Sequence, residues 1–233
     1  MIGRIQMPRK PKKIPQIISE EEFKRVLNVI LFKKKSQRGV IKNLYYFNKI
    51  RNAMIFFLMY YLGLRPKESF ASKVEHVNLN NGTLYIPAEN NKQRVSDMIP
   101  LPDFVIDALN KYLRIRRHYF KNSPYLFPSK HRRSSGILGR SMVCRIFKEA
   151  CKKAGIIQTQ YTDVLGRKKY NLTPYSLRHA FASKVYFKTK DIKKTALMLR
   201  QYDWQCRSTL RYVHTAENMS KREIYNSLYS NPF

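Results

Sequence analysis

The sequence predicts an α+β domain, mainly α-helical: a helical bundle carrying a small three-stranded antiparallel sheet. Apolar residues recur at helical spacing over most of the 233 residues,. Between Val74 and Leu101 the period drops to two, around an Asn80-Asn81-Gly82 turn that is a strong hairpin signal,. The longest apolar run, Ala53 to Leu64, is too short to span a bilayer and reads as a buried helix,.

In chain order, residues 1–18 form a basic arm. Arg4, Lys10, Lys12 and Lys13 are broken up by Pro8, Pro11 and Pro15, a proline density that keeps the arm extended,. Nothing in Met1-Ile2-Gly3-Arg4 resembles the apolar stretch of a secretory signal,. Residues 19–233 are expected to be one unit, with no separate domain before it. Ser19-Glu20-Glu21-Glu22 has the form of a capping box, and Phe23, Val26, Leu27 and Ile30 follow on one helical face,. After the basic loop Lys33 to Gly39, a helix from about Asn43 to Leu62 is apolar nearly all round, as a helix in the middle of a bundle must be, and Gly63 ends it,. Strands are expected around Val77 to Leu79, Thr83 to Ile86 and Met98 to Leu101, with Pro100 suited to a sheet edge,. Helices follow near 102–117, whose basic end Arg114, Arg116, Arg117 and His118 suits the negative helix terminus, and near 141–154, 174–188 and 190–200,. Gln158 to Asn171 reads as a small hairpin, and 217–229 has helical spacing.

Lys and Arg number 46 against 15 Asp and Glu, a net charge of +31. A domain this basic repels itself unless a polyanion neutralises it, and nucleic acid is the first candidate, ahead of an anionic membrane surface. Cys144, Cys151 and Cys206 are odd in number and, with the five histidines, form no zinc pattern,. They read as core thiols of an intracellular, reducing compartment, which points to the cytoplasm with the nucleoid, or to a host's cytoplasm if the source is viral.

Three stretches carry chemistry. Gly63-Leu64-Arg65-Pro66-Lys67-Glu68 offers an arginine beside a carboxylate. Leu172 to His179 presents Arg178 near a helix start. Arg211-Tyr212-Val213-His214 offers a tyrosine among cations. A phosphodiester is cut without metal when a nucleophile reaches phosphorus, planar guanidinium donors hold the nonbridging oxygens and an acid protonates the leaving oxygen. A phenol, with a free pKa of about 10, needs neighbouring cations to become that nucleophile.

These residues carry a resemblance. Gly63 to Glu68 resembles the G-L-R-x-x-E box of the tyrosine recombinase (phage integrase) family. Tyr85 to Lys92, closing at Ile99-Pro100-Leu101, is similar to that family's hairpin, whose loop holds a catalytic lysine. Pro174 to Ser183 is similar to its H-x-L-R-H-x-F-A-S box, and Arg211 to His214 to the box of the nucleophile. In order and spacing the likeness runs from about Pro8 to the C-terminus. It implies a tyrosine recombinase catalytic-domain-like fold that cuts and rejoins duplex DNA through a 3′-phosphotyrosyl link, with no metal and no cofactor, as a dimer or tetramer on DNA. By resemblance Arg65 and Arg178 clamp the scissile phosphate, Glu68 holds Arg65, Lys92 protonates the leaving 5′ oxygen, Tyr212 attacks, and His179 supports the site from behind.

The sequence departs from the family pattern at two boxes. Tyr175 stands where the third box begins with histidine. A phenol there can donate to phosphate but is a poor base, and packing is its plainer use. The late L-G-H is replaced by Leu199-Arg200-Gln201, so Gln201 takes the histidine slot with a two-residue insertion before Tyr212; Asp203 and Trp204 are the other candidates. The family's usual preceding helical domain is also not matched, so the sequence is a catalytic fragment or a minimal form. The departures leave two alternatives to a recombinase: a DNA-binding member that has lost turnover, and a nicking–closing enzyme of type IB topoisomerase character.

Overall fold

A computed structural model describes residues 16–31, 43–130, 136–162, 165–166, 168–202, 205–206 and 208–210. Helix α1 (Glu20–Leu31) begins as its sequence requires: Ser19 Oγ accepts from the Glu22 N–H at 3.1 Å and Glu22 Oε2 from the Ser19 N–H at 2.8 Å,. It buries Phe23, Val26 and Ile30, and Phe23 stacks on Tyr60 at 4.1 Å between ring centroids. Helix α2 (Asn43–Tyr61) is the central post, packed against α1 and against three later helices, α4 (Asp103–Tyr119), α5 (Arg140–Lys153) and α6 (Pro174–Thr189). That position explains its apolar surface, since Ile55, Phe56, Leu58, Met59 and Tyr60 are all buried,.

The chain leaves α2 through Leu62, Gly63 and Leu64 and enters α3 (Pro66–Phe70), one turn started by a proline in its first position,. The three-stranded antiparallel sheet follows, in the order β1 (Val77–Asn78), β2 (Thr83–Ile86), β3 (Asp97–Pro100). Leu84 pairs with Ile99 and both face the core, which fixes the register,. Pro100 lies on an edge strand, as expected. Strand β1 stops one residue short of the predicted Leu79.

The last turn of α4 is basic, as its sequence suggests, with Arg116, Arg117 and His118. Arg116 is buried as well, and its guanidinium donates to the carbonyls of Ser123 and Tyr125 at 2.5–2.9 Å, closing the loop after the helix. The small hairpin is present as β4 (Thr159–Thr162) and β5 (Lys168–Tyr170), largely exposed. Helix α6 ends at Lys190 in a left-handed conformation, and Asp191 caps α7 (Ile192–Met198), its carboxylate accepting from the N–H groups of Lys193 and Lys194,. This two-residue reversal turns Leu199 and Arg200 back against α6. Among the described residues, no helix is long and apolar enough to cross a membrane. The extended arm before residue 16, the Lys33 to Gly39 loop and the helix expected at 217–229 lie outside the described residues.

Candidate active site

Glu68, in the third position of α3, is the centre of the site. Its side chain is fully buried, a placement that would exclude a lone carboxylate. Its Oε2 accepts the Arg65 backbone N–H at 2.8 Å, and its Oε1 accepts from the Arg65 guanidinium. The second arginine, Arg178, brings Nη1 to 3.7 Å from Oε2, and a third, Arg200, donates to that oxygen at 3.0 Å. Burial by itself would raise the Glu68 carboxyl. The positive charges of Arg200, Arg178 and Arg65, in that order, together with the Arg65 N–H outweigh it and hold the group below the ordinary carboxylate value,.

Gly63 supplies the second anchor. Its carbonyl accepts from Arg178 at 2.5 Å and from Arg200 at 2.9 Å. With φ at +60°, it takes a conformation glycine adopts without strain,. A Cβ there would lie 2.8 Å from Cε1 of Phe181 and closer still to Cδ1, so α6 could not approach the end of α2. Glycine and phenylalanine together set the depth at which α6 delivers Arg178.

In front of this cluster lies a cleft of about 320 Å³ lined by Arg65, Lys67, Asn91, Lys92, Arg140 and Tyr175. Lys92 is exposed on the β2–β3 loop, and the residues flanking it tie that loop down. Asn91 Oδ1 accepts from Arg65 at 3.3 Å, and Asn91 Nδ2 donates to the Val95 carbonyl at 2.8 Å. Gln93 Oε1 accepts the Tyr202 N–H at 2.9 Å.

A phage integrase family model matches residues 32–219. The chain belongs to the phage integrase family. Tyrosine recombinase XerA of Pyrococcus furiosus is 30% identical to it over 190 residues, 82% of this chain and 54% of the relative. Tyrosine recombinase XerD of Staphylococcus haemolyticus is 28% identical over 228 residues, 97% of this chain and 66% of the relative. The chain thus spans between about half and two thirds of these relatives. Among solved structures, the post-cleavage complex of XerH on a palindromic difH substrate matches with a TM-score of 0.66 at 21% identity, covering 94% of this chain and 54% of that one. These neighbours share the predicted fold, a mainly helical domain with a small antiparallel sheet.

Placed in this integrase fold, Arg65, Lys92 and Tyr175 meet at the cleft, and Arg65 and Arg178 meet at Glu68. Tyr175 is 40% exposed on the cleft wall, so packing does not account for it. Arg178 is 2% exposed and lies behind Arg65, its terminal nitrogens donating to the carbonyls of Gly63 and Leu199. His179 is half-buried on α6. Gln201 is absent from the cleft wall. Its Oε1 accepts instead from Ser208 Oγ at 3.0 Å and Thr209 Oγ1 at 2.6 Å, bracing the segment that leads toward Tyr212. Tyr212, Asp203 and Trp204 lie outside the described residues. Tyr202 is near the site, but burial and the Asp97 carboxylate raise its phenol, the opposite of what a nucleophile needs,. Asn91, Arg140 and Arg200 escape a reading of the sequence. Only Arg200 left a signal: it is an arginine in the glycine slot of the late box.

Proposed function

We propose that this chain is the catalytic part of a site-specific DNA recombinase or integrase, cutting and rejoining duplex DNA through a tyrosine ester. What carries the reading is the convergence of Arg65 and Arg178 on one buried carboxylate directly behind a cleft walled by four cations, Arg65, Lys67, Lys92 and Arg140. Such a site takes a phosphodiester and gains strength as charge builds on it.

In the proposed reaction the Tyr212 phenol gives up its proton and its oxygen attacks phosphorus. The bond from phosphorus to the 5′ oxygen breaks, and Lys92 supplies the proton that the 5′ oxygen takes up. The product is a 3′-phosphotyrosyl link and a free 5′ hydroxyl. Attack by another 5′ hydroxyl reverses these steps and restores the tyrosine. Arg65 holds the nonbridging oxygens, and Arg178 joins it once its donors turn from the main-chain carbonyls. Tyr175 donates to phosphate from the cleft wall. His179 and Glu68 position the arginines. Gln201 serves indirectly by bracing the chain before Tyr212. The chemistry asks for no metal or cofactor.

The rest of the reading concerns the whole protein. Residues 19–233 are read as one catalytic unit and residues 1–18 as an arm along DNA; one buried core joining residues from 18 to 180 supports the unit, and with Ile18 inside that core the arm ends before it. The palindromic substrate in the XerH complex supports paired copies on DNA, because a palindrome offers the same half-site twice,. The thiols of Cys144 and Cys151 support a reducing compartment, read as the cytoplasm with its nucleoid, or a host's cytoplasm for a viral or plasmid source,.

The test is trapping. A supercoiled plasmid incubated with the chain in EDTA and denatured should carry covalently bound protein, and peptide mapping should place the link at Tyr212. No adduct, with DNA binding intact and Tyr212→Phe behaving as the unmodified chain does, would favour a DNA-binding member without turnover. A ladder of relaxed topoisomers with no recombinant product would favour the nicking–closing alternative.

A further inference from the structure

Arg200 is the largest fully buried side chain among the described residues, and neither the family's clamp nor its acid accounts for it. Its backbone has φ +53°, a left-handed conformation unfavourable for a residue that carries a side chain,. Both terminal nitrogens of its guanidinium have directed contacts nonetheless. Nη2 donates to Gly63 O at 2.9 Å and Glu68 Oε2 at 3.0 Å; Nη1 donates to Met198 O at 3.1 Å and reaches Leu62 O at 3.5 Å. Its own carbonyl accepts from Arg65 Nη2 at 3.2 Å. Nε has no acceptor among the described residues. An arginine held in an unfavourable backbone conformation, with a buried N–H unpaired, is a poor choice for mere filling of space. A glycine would suit the backbone better.

We infer that Arg200 is a positioning residue for strand transfer: it holds Glu68 Oε2 while the Arg65 guanidinium holds Oε1, and it adds a third guanidinium to the phosphate site. This rests on the strand-transfer reading above. Three guanidiniums, from Arg65 before α3, Arg178 on α6 and Arg200 after α7, face one carboxylate and leave two positive charges in excess. A phosphodiester brings one negative charge, and a second develops as the tyrosine oxygen adds. The cluster with Arg200 matches the later charge; without Arg200 it matches only the first. Electrostatic help of this kind is preorganised and appears in the rate rather than in binding. Arg200 also ties the chain end approaching Tyr212 to the site, because the residue after it, Gln201, braces Ser208 and Thr209.

The experiment compares Arg200→Gly and Arg200→Lys with the unmodified chain. The substrate is a suicide duplex, nicked beside the cleavage point, drawn from random-sequence DNA by adduct formation with the unmodified chain. Adduct rate is followed against pH, DNA affinity and melting temperature alongside. Arg200→Gly is expected to cut roughly 10–100-fold more slowly, the usual scale for a supporting partner of a reactive group, while binding DNA within a few-fold. Its acid limb should move to higher pH, because Glu68 loses the cation that most favours its charged form,. Arg200→Lys keeps that cation, so it should keep the unmodified acid limb and recover part of the rate. An Arg200→Gly chain that cuts at the unmodified rate with an unmoved acid limb would overturn the proposal. So would an Arg200→Lys chain whose acid limb lies well above that of the unmodified chain, an outcome read without the glycine variant and so decisive even where that variant does not fold. Failure of the unmodified chain to form any adduct would remove the strand-transfer reading itself, and this inference with it.

Discussion

The side-chain oxygen of Asn91 accepts a hydrogen bond from the Arg65 guanidinium at 3.3 Å, joining the loop of the proposed general acid to the proposed phosphate clamp. Asn91 is buried and also donates to Val95 O and accepts from the Gln93 N–H, so it fixes the turn on both sides of Lys92. Exposed charged loops scatter their lysines; this one holds its lysine at the cleft.

Asn91→Ala should therefore slow cleavage about tenfold or more, since a displaced acid loses much of its effect, while DNA affinity changes little. Single-turnover adduct formation beside an equilibrium binding titration separates the two. Equal losses in rate and affinity would mean that Asn91 only supports the fold.

Gly63→Ala should destabilise the protein by about 2–4 kcal/mol, combining a left-handed backbone penalty with overpacking against the Phe181 ring,. Urea unfolding measures it. Phe181→Leu in the same chain should recover part of the loss by removing the ring while leaving the backbone penalty in place.

Glu68→Gln leaves the buried guanidiniums of Arg178 and Arg200, and the partly buried one of Arg65, without their carboxylate, and breaking a buried ion pair from one side costs roughly 3–5 kcal/mol,. The pH dependence has a definite sign. The folded-state carboxyl lies below its ordinary value of 4.5. Its contribution is therefore complete above that value and is lost as pH falls through the lower, folded-state one. Melting temperature followed from pH 7 down past that value should drop more steeply for the unmodified chain than for Glu68→Gln.

DNA binding should be strongly salt-dependent, as the +31 charge requires. With about six phosphates contacted, affinity should fall about a thousandfold between about 50 and 200 mM salt. Arg140→Ala should lower the slope of log affinity against log salt by about one, if the exposed arginine on the cleft wall meets a phosphate,. An unchanged slope would place Arg140 off the DNA path.

Arg178→Ala should weaken the fold as well as cleavage. Arg178 spans from Gly63 O to Leu199 O, and its removal leaves two buried carbonyls short of a donor as well as the phosphate site short of a guanidinium,. Arg178→Lys, with thermal melting measured beside cleavage, distinguishes the two losses: a chain that melts normally and does not cut has lost the chemistry.

The sequence by itself determined the helices α1, α2 and α4 to α7, the edge proline of the sheet, the small hairpin, the cationic character and the candidates Arg65, Lys92 and Arg178. Each of these is written locally, in a period of 3.6 or 2, a turn pair such as Asn81-Gly82, or a short box of residues. The tertiary structure decided which side chains share a partner. Arg200 and Glu68 are 132 positions apart and meet only because α7 reverses onto α6 after the Lys190–Asp191 turn. Arg116 turns to the Ser123 and Tyr125 carbonyls and Gln201 to two hydroxyls because the irregular segments after their helices fold back on them, a path that no periodicity records. Periodicity reports which face of an element is apolar. It carries no record of which charged groups are brought within 3 Å of one another once those faces pack, and for a buried carboxylate that meeting determines its charge, its partners and its use.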